Sequence, residues 1–193
     1  MVKLQELYTL TAFCLLTTLT PGPNNLLVLG QSLRYGTGYA LRPYFGICLG
    51  FPLMVFCMSL IFYIFGDTLF QKLNFIKYLG ALFIIYISYK LFTAKPLDDN
   101  CSYRQMISFR QSFVFQWINP KAWGMVIAVL SMIDNPDYFF LPSIIYLIVI
   151  FPSVGCWLLF GNFIRTTILD TKYEQLLNKI MAMLLASSIV LML

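Results

Sequence analysis

Long apolar runs separated by short polar segments are the main pattern along the chain. Residues 7–33, 43–66 and 138–164 contain no charged side chain. Each run is longer than the ~20 apolar residues that cross the hydrocarbon core of a bilayer as a helix. The pattern therefore predicts membrane-spanning helices at these three positions.

Three further apolar segments contain lysines. Residues 73–92 carry Lys77 and Lys90 near their ends, where lysine side chains reach the membrane interface. Residues 111–133 contain one charge, and residues 175–193 have a lysine near their start. These segments predict the third, fourth and sixth spans of a six-helix protein. If the last segment lay on the membrane surface, there would be five spans.

The composition agrees with an all-α membrane protein that forms a single domain over residues 1–193. Hydrophobic residues make up 60% of the chain and charged residues 11%, against ~45–50% and ~25% in soluble domains. The chain has no histidine, and its five cysteines form no C-x-x-C pair. Histidine is the commonest general base and metal ligand. We therefore expect no enzyme, no metal site and no cofactor.

Basic residues collect in alternate connections between the predicted spans. The positive-inside rule assigns the connections after spans one, three and five to the cytoplasm, so both termini are predicted to be extracytoplasmic. Because the basic residues are spread over several loops, the net charge of +5 does not indicate nucleic acid as a partner. Nine basic residues lie in these connections, namely Arg34, Arg42, Lys90, Lys95, Arg104, Arg110, Arg165, Lys172 and Lys179.

A short internal repeat relates the two halves of the chain. The stretch TPGPNNLLV from Thr20 aligns with NPKAWGMVI from Asn119 at an offset of 99, and the Phe-Pro pairs at 51–52 and 151–152 align at an offset of 100. Two such matches in so apolar a sequence also arise by chance. Each half holds three spans, so the second half would be inverted relative to the first, as in many secondary transporters. The predicted units are repeat one (about 1–93), a cytoplasmic connection (about 94–107) and repeat two (about 108–193).

The first span contains a signal for a broken helix. Pro21 and Pro23 flank Gly22, and proline removes a backbone donor and clashes with the preceding turn. In lipid, the freed backbone groups are tolerated only where they are buried in protein or line a wet cavity. The amides of Asn24 and Asn25 can satisfy that backbone or a bound solute. A helix that restarts after Pro23 also presents a positive N-terminus, which favours a carboxylate.

The fourth span repeats this signal at Asn119-Pro120, with Gln116 one turn earlier. Paired breaks in corresponding spans point to the binding site of a transporter. The alternative is that the prolines only kink two helices to improve packing, since proline and glycine are common in transmembrane helices.

Lys121 lies near the middle of the fourth span, where a lysine costs at least ~2.5 kcal/mol. All eight acidic residues lie in predicted loops or at span ends, so none is placed to neutralise it. The remaining partners are carbonyls released by the breaks or the carboxylate of a transported solute. A desolvated lysine can also release its proton and couple transport to a proton gradient. The alternative is a structural lysine held permanently by backbone carbonyls.

The stretch GICLG at residues 46–50 is a G-x-x-x-G motif, which favours close packing of transmembrane helices. One motif does not separate a contact inside the bundle from the interface of a homodimer.

Three stretches together resemble the LysE/RhtB family of amino-acid exporters. They are TPGPNN in span one, GALFIIYISYKLF (80–92) in span three and SFRQSFVFQWINPKAW (108–123) entering span four. The P-G-P-N-N run is similar to that of the cysteine and O-acetylserine efflux branch. The resemblance implies a bacterial inner-membrane exporter of a small amino acid or derivative, driven by protons. The candidate substrate-binding residues are Pro21, Gly22, Pro23, Asn24, Asn25, Gln116, Asn119, Pro120 and Lys121.

Two other classes of membrane protein remain as alternatives. A channel needs a continuous polar path, and the spans contain few ionisable residues. A scaffold protein has no use for a lysine at the middle of a span, and the predicted cytoplasmic loops are short.

Overall fold

A computed structural model describes residues 4–65, 82, 84–86, 88–89, 92–93, 106–133, 135–167 and 171–187. All regular elements within these residues are helical, in agreement with the predicted fold class. Most of the predicted third span, residues 94–105 of the predicted connection and the end of the sixth span lie outside the described residues. The helices are α1 (Leu4–Leu19), α2 (Pro23–Tyr35), α3 (Thr37–Phe65), α4 (Phe109–Phe115), α5 (Pro120–Leu130), α6 (Leu141–Thr167) and α7 (Thr171–Ser187), with 3-10 turns at Gln116–Ile118 and Pro136–Tyr138.

Two of the described helices, α3 and α6, are long and apolar enough to cross a membrane. A third candidate span appears if the pair on either side of Asn119 is one span. This pair consists of α4 with its 3-10 turn, followed by α5, and it bends by 60° at the break. A bend of this size fits either a broken span or a re-entrant loop. Length and composition therefore support two or three spans within the described part of the chain.

The chain leaves and re-enters helical conformation where the prolines predict it. The first helix, α1, ends at Leu19 and α2 begins at Pro23. Pro23 occupies the first helical position, where its missing N–H has no partner to lose and its ring favours the helical φ. Pro120 takes the same position in α5, and the side chain of Asn119 caps that helix by accepting from the Lys121 N–H.

The first two helices run along α6 in the same direction. Thr18 of α1 donates a hydrogen bond from its hydroxyl to Ser153 of α6 at 3.0 Å. Further along, Ser32 of α2 donates to the backbone carbonyl of Leu158 at 2.7 Å. Residue numbers thus rise together on both sides of the contact, so α1 and α2 lie parallel to α6.

The G-x-x-x-G motif is a contact inside the chain. Gly46 and Gly50 of α3 face α4, and a Cβ atom at Gly46 would lie 2.5 Å from the backbone carbonyl oxygen of Phe109. A Cβ atom at Gly50 would lie 2.9 Å from the carbonyl oxygen of Phe113. Glycine is therefore needed at both positions for the two backbones to approach, and α3 and α4 run parallel.

One end of the bundle collects basic side chains. A Cβ atom at Gly36 would lie 2.5 Å from Nη1 of Arg165, and the N–H of Ile107 donates to Oε1 of Gln31 at 3.1 Å. The end of α2, the end of α6 and the start of α4 therefore lie together. Arginines close to this end in the described helices are Arg34, Arg42, Arg110 and Arg165.

Candidate functional site

The two helix breaks meet through the side chain of Lys121. Its Nζ donates to the backbone carbonyl of Thr20 at 2.9 Å, to Oγ1 of Thr20 at 2.8 Å and to the carbonyl of Pro21 at 3.1 Å. These oxygens belong to the break between α1 and α2. The lysine of the second break therefore supplies hydrogen-bond donors to the backbone of the first.

Lys121 is half-buried, and its three partners among the described residues are neutral oxygens. Carbonyls released by a break were one of the two kinds of partner expected from the sequence. Carbonyl oxygens also lie at the negative end of α1, because the last carbonyls of a helix have no intrahelical donor. The environment therefore suits a cation without containing a counter-charge.

Gly22 makes room for this lysine. A Cβ atom at Gly22 would lie 2.7 Å from Cδ and 3.0 Å from Nζ of Lys121. The backbone at Gly22 is extended, with φ −169°, a conformation that any residue adopts. Space for the lysine stem, and not backbone strain, is what requires glycine at this position.

Asn25 satisfies part of the freed backbone. Its Nδ2 donates to the carbonyls of Thr18 and Thr20, both at 2.8 Å, which is one of the two roles expected for an amide next to the break. The residue is only 3% exposed. Its Oδ1 accepts no hydrogen bond from any residue that the structure describes.

Three amide side chains form a second set of contacts between the breaks. Nδ2 of Asn24 donates to Oε1 of Gln116 at 2.7 Å, and Nε2 of Gln116 returns a bond to Oδ1 of Asn24 at 3.1 Å. Nδ2 of Asn119 donates to the same Oδ1 of Asn24 at 3.1 Å. We call these three residues the amide cluster. In this conformation its members bind one another, so few of their amide donors and acceptors are free to bind a solute.

A small cavity lies between the breaks. The space open to the centre of a water-sized sphere is about 20 Å³, where one water needs roughly 10–15 Å³ on this measure. Six of the nine predicted site residues line it, while Pro21, Gln116 and Pro120 do not. The lining residues are Thr17, Thr18, Gly22, Pro23, Asn24, Asn25, Phe51, Asn119, Lys121, Ala122, Met125, Ile150 and Val154.

A further pair of contacts, at the end of α1, has no signal in the sequence. The indole Nε1 of Trp157 in α6 donates to the carbonyl of Leu19 at 3.0 Å, so it caps the end of α1. Thr18 reaches Ser153 from the same helix end. Both partners lie more than 130 residues away in sequence, so no local pattern connects them.

Comparison with known proteins decides the family. The model of the LysE type translocator family matches residues 15–192, which is nearly the whole chain. The chain belongs to the LysE type translocator family. The resemblance found in the three sequence stretches is thereby confirmed for this translocator.

Individual relatives carry more specific names. The translocator is 28% identical over 178 residues to the cysteine/O-acetylserine efflux protein of Escherichia coli O157:H7, and the match covers 90% of each chain. It is 27% identical, with the same coverage, to the protein of that name in Escherichia coli strain K12. No solved structure matches the chain. Membership of a translocator family favours transport over catalysis, in line with the expectation that the protein is no enzyme.

Proposed function

We propose that the translocator exports a small amino acid or derivative from the cytoplasm, and that the proton gradient drives export. The solute would be cysteine, O-acetylserine or another neutral amino acid. The observation that carries this proposal is that Lys121, which belongs to the second helix break, donates to the backbone of the first break beside one small cavity. Paired breaks at one cavity are the arrangement in which secondary transporters bind solutes.

The cavity offers hydrogen-bond donors to the carboxylate of an amino acid. Lys121 is a donor for a carboxylate, and the first turn of α2 lines the same cavity. The N-cap Gly22 has no side chain to cap that turn, so its amides favour an anion. A basic substrate side chain would meet no acid among the described lining residues, and an acidic one would compete with the α-carboxylate for Lys121. These features support a solute with a neutral side chain.

The size of the cavity supports a small solute. Its present volume accommodates about one water, so the site has to widen for any amino acid. The least widening is needed for a short side chain such as that of cysteine, and the acetyl ester of O-acetylserine needs more. The same two solutes appear in the names of the relatives, which supports this choice.

We further propose that the fold consists of six spans in two inverted repeats, with spans one and four broken. Spans one and five run parallel through α1, α2 and α6, and spans four and two run parallel through α4 and α3. These two contacts would exchange if the halves were related by a two-fold axis in the membrane plane. The end of α3 and the start of α4 lie at opposite ends of the bundle, which supports a third span between them.

Transport by membrane vesicles tests the function. Inverted vesicles from cells that lack other exporters of these solutes should accumulate labelled O-acetylserine or cysteine only when they contain the translocator. Accumulation should require a proton gradient and stop on addition of a protonophore. Equal uptake with and without the protein, for these and other neutral amino acids, would exclude amino-acid export. Uptake that survives the protonophore would exclude proton coupling but leave amino-acid export in place.

The orientation gives a separate prediction. Both termini should be extracytoplasmic, because the arginines that the structure places together lie at the end assigned to the cytoplasm. A periplasmic reporter fused after Leu193 should therefore be active, and one inserted between residues 94 and 107 should be inactive. A cytoplasmic reporter should give the reverse pattern. The opposite result at Leu193 would contradict the six-span topology.

A further inference from the structure

We propose that the three oxygens around Nζ of Lys121 form the subsite for the α-ammonium group of the exported solute, and that Lys121 occupies this subsite while the transporter is empty. We call the carbonyls of Thr20 and Pro21 and the hydroxyl of Thr20 the ammonium subsite. The inference rests on the proposed function. It specifies which group of the solute, the α-ammonium, binds at the end of α1.

The chemistry of the occupant supports this assignment. A lysine side chain ends in a primary ammonium group with three donors, and the subsite receives all three at 2.8–3.1 Å. The α-ammonium of an amino acid is the same group with the same three donors. A set of oxygens that holds one therefore has the number and spacing of acceptors that the other needs.

A second, independent observation is the free oxygen of Asn25. Its amide is fixed by two hydrogen bonds, one of them to the Thr20 carbonyl of the subsite. Its Oδ1 has no donor among the described residues, although Asn25 is 3% exposed and lines the cavity. This oxygen is not enclosed, because the enclosed side-chain atoms without a partner in the described part of the chain are Oη of Tyr35 and Oγ of Ser88. It is therefore open to the cavity, where a donor can reach it. An ammonium group in the cavity, reaching both Asn25 and the subsite, would supply that donor.

The shape of the site indicates how the exchange takes place. A zwitterion does not fit unless the lining moves, and Lys121 has a flexible four-carbon stem that passes over the open space at Gly22. A carboxylate in the cavity would draw Lys121 toward itself, which vacates the subsite for the ammonium of the same solute. One ammonium group then always faces the carbonyls of the break, so these carbonyls keep a donor throughout the exchange.

Chemical rescue tests the subsite without any transport measurement. Lys121→Ala removes Cγ, Cδ, Cε and Nζ, the four heavy atoms of n-propylammonium. Saturating propylammonium should raise the Tm of the purified Lys121→Ala translocator by roughly 5 °C or more. The unsubstituted protein should not respond, because its own lysine fills the subsite. Sodium at equal ionic strength and n-propanol, which has the same size but no charge, should have no effect.

A matched pair of threonine substitutions locates the binding. In the Lys121→Ala background, Thr20→Val should weaken propylammonium on the order of tenfold, since one hydrogen bond to a charged group is lost. Thr11→Val in the preceding helix, α1, is the control, because among the described residues the Thr11 hydroxyl bonds only the carbonyl of Leu7. Absence of any rise in Tm, an equal rise with propanol or sodium, or an equal effect of both threonine substitutions would overturn the proposal.

A second measurement decides the matter if Lys121→Ala cannot be purified. With Lys121 in place, Thr20→Val should raise the half-saturating concentration of O-acetylserine in inverted vesicles about tenfold, while Thr11→Val leaves it unchanged. Unchanged values for Thr20→Val would overturn the assignment of the subsite. If no solute is transported even without substitutions, the proposed function fails, whereas the propylammonium titration still tests the subsite.

Discussion

Lys121→Met is expected to abolish export while the translocator remains in the membrane at near-normal abundance. Methionine has a similar length, so the space over Gly22 stays filled. The loss of the ammonium leaves the Pro21 carbonyl without its donor, but the Thr20 carbonyl keeps the bond from Asn25. Removal of a half-buried charge also relieves its desolvation cost. Folding should therefore change little.

Transport should fall about 30-fold or more, because truncation of one partner of a hydrogen-bonded charged contact costs at least ~2 kcal/mol and about 1.4 kcal/mol is tenfold. The group removed is the proposed donor for the substrate carboxylate. The assay is uptake into inverted vesicles, with protein level measured by immunoblot of the same vesicles. Lys121→Arg separates the two roles of the lysine. Arginine stays protonated, so it should fail if Lys121 releases a proton in each cycle. Normal export by the methionine variant at normal abundance would show that Lys121 is a structural lysine.

Gly46→Ala should destabilise the protein more than other single-methyl additions in the described helices. The new Cβ would lie 2.5 Å from the carbonyl oxygen of Phe109 and would also collide with Oγ of Ser112. Because the Phe109 oxygen belongs to the backbone and cannot rotate away, α4 has to move away from α3. Overpacking of this kind costs about 1–3 kcal/mol, less the small gain from replacing glycine by alanine in a helix. The Tm of the purified protein should fall by several degrees.

Gly30→Ala is the matched control for this substitution. Gly30 lies inside α2, and a Cβ atom there would meet nothing within 4 Å. Stability should stay the same or rise slightly, because alanine favours the helix. Since α4 also carries Gln116 toward Asn24, Gly46→Ala should reduce export as well. A Tm equal to that of Gly30→Ala would contradict close packing of α3 on α4.

The sequence was most informative where a residue type limits the backbone directly. Pro23 and Pro120 each begin a helix as predicted, because proline lacks the N–H that an interior position needs. The sequence also limited the partners of Lys121 to carbonyls released by the breaks or the carboxylate of a solute, since no acid was placed to reach it, and the structure shows the carbonyls. A lysine in an apolar span is expensive unless it has partners, which limits the choice to very few groups.

The pairing of the polar side chains could not be predicted in the same way. Asn24 and Gln116 are 92 residues apart, and Lys121 lies 101 residues after Thr20. Such contacts depend on how the helices pack, and the amide of Asn24 alone is compatible with backbone, solute or another amide as its partner. For the same reason, the sequence did not show that the members of the amide cluster would hydrogen-bond to one another in this conformation. Whether it also binds the solute stays a prediction.

The space at Gly22 bears on how alike the two sides of the translocator can be. At the offset of 99 at which the two breaks align, Gly22 corresponds to Lys121, and the stem of the lysine lies where a side chain at Gly22 would begin. Two lysines could not occupy this spot, so the two halves of the proposed inverted repeat have to differ here. Identical inverted halves would present the same structure to both sides of the membrane. A cation that one half supplies to the other removes that equivalence, while the proton gradient sets the direction of the proposed export.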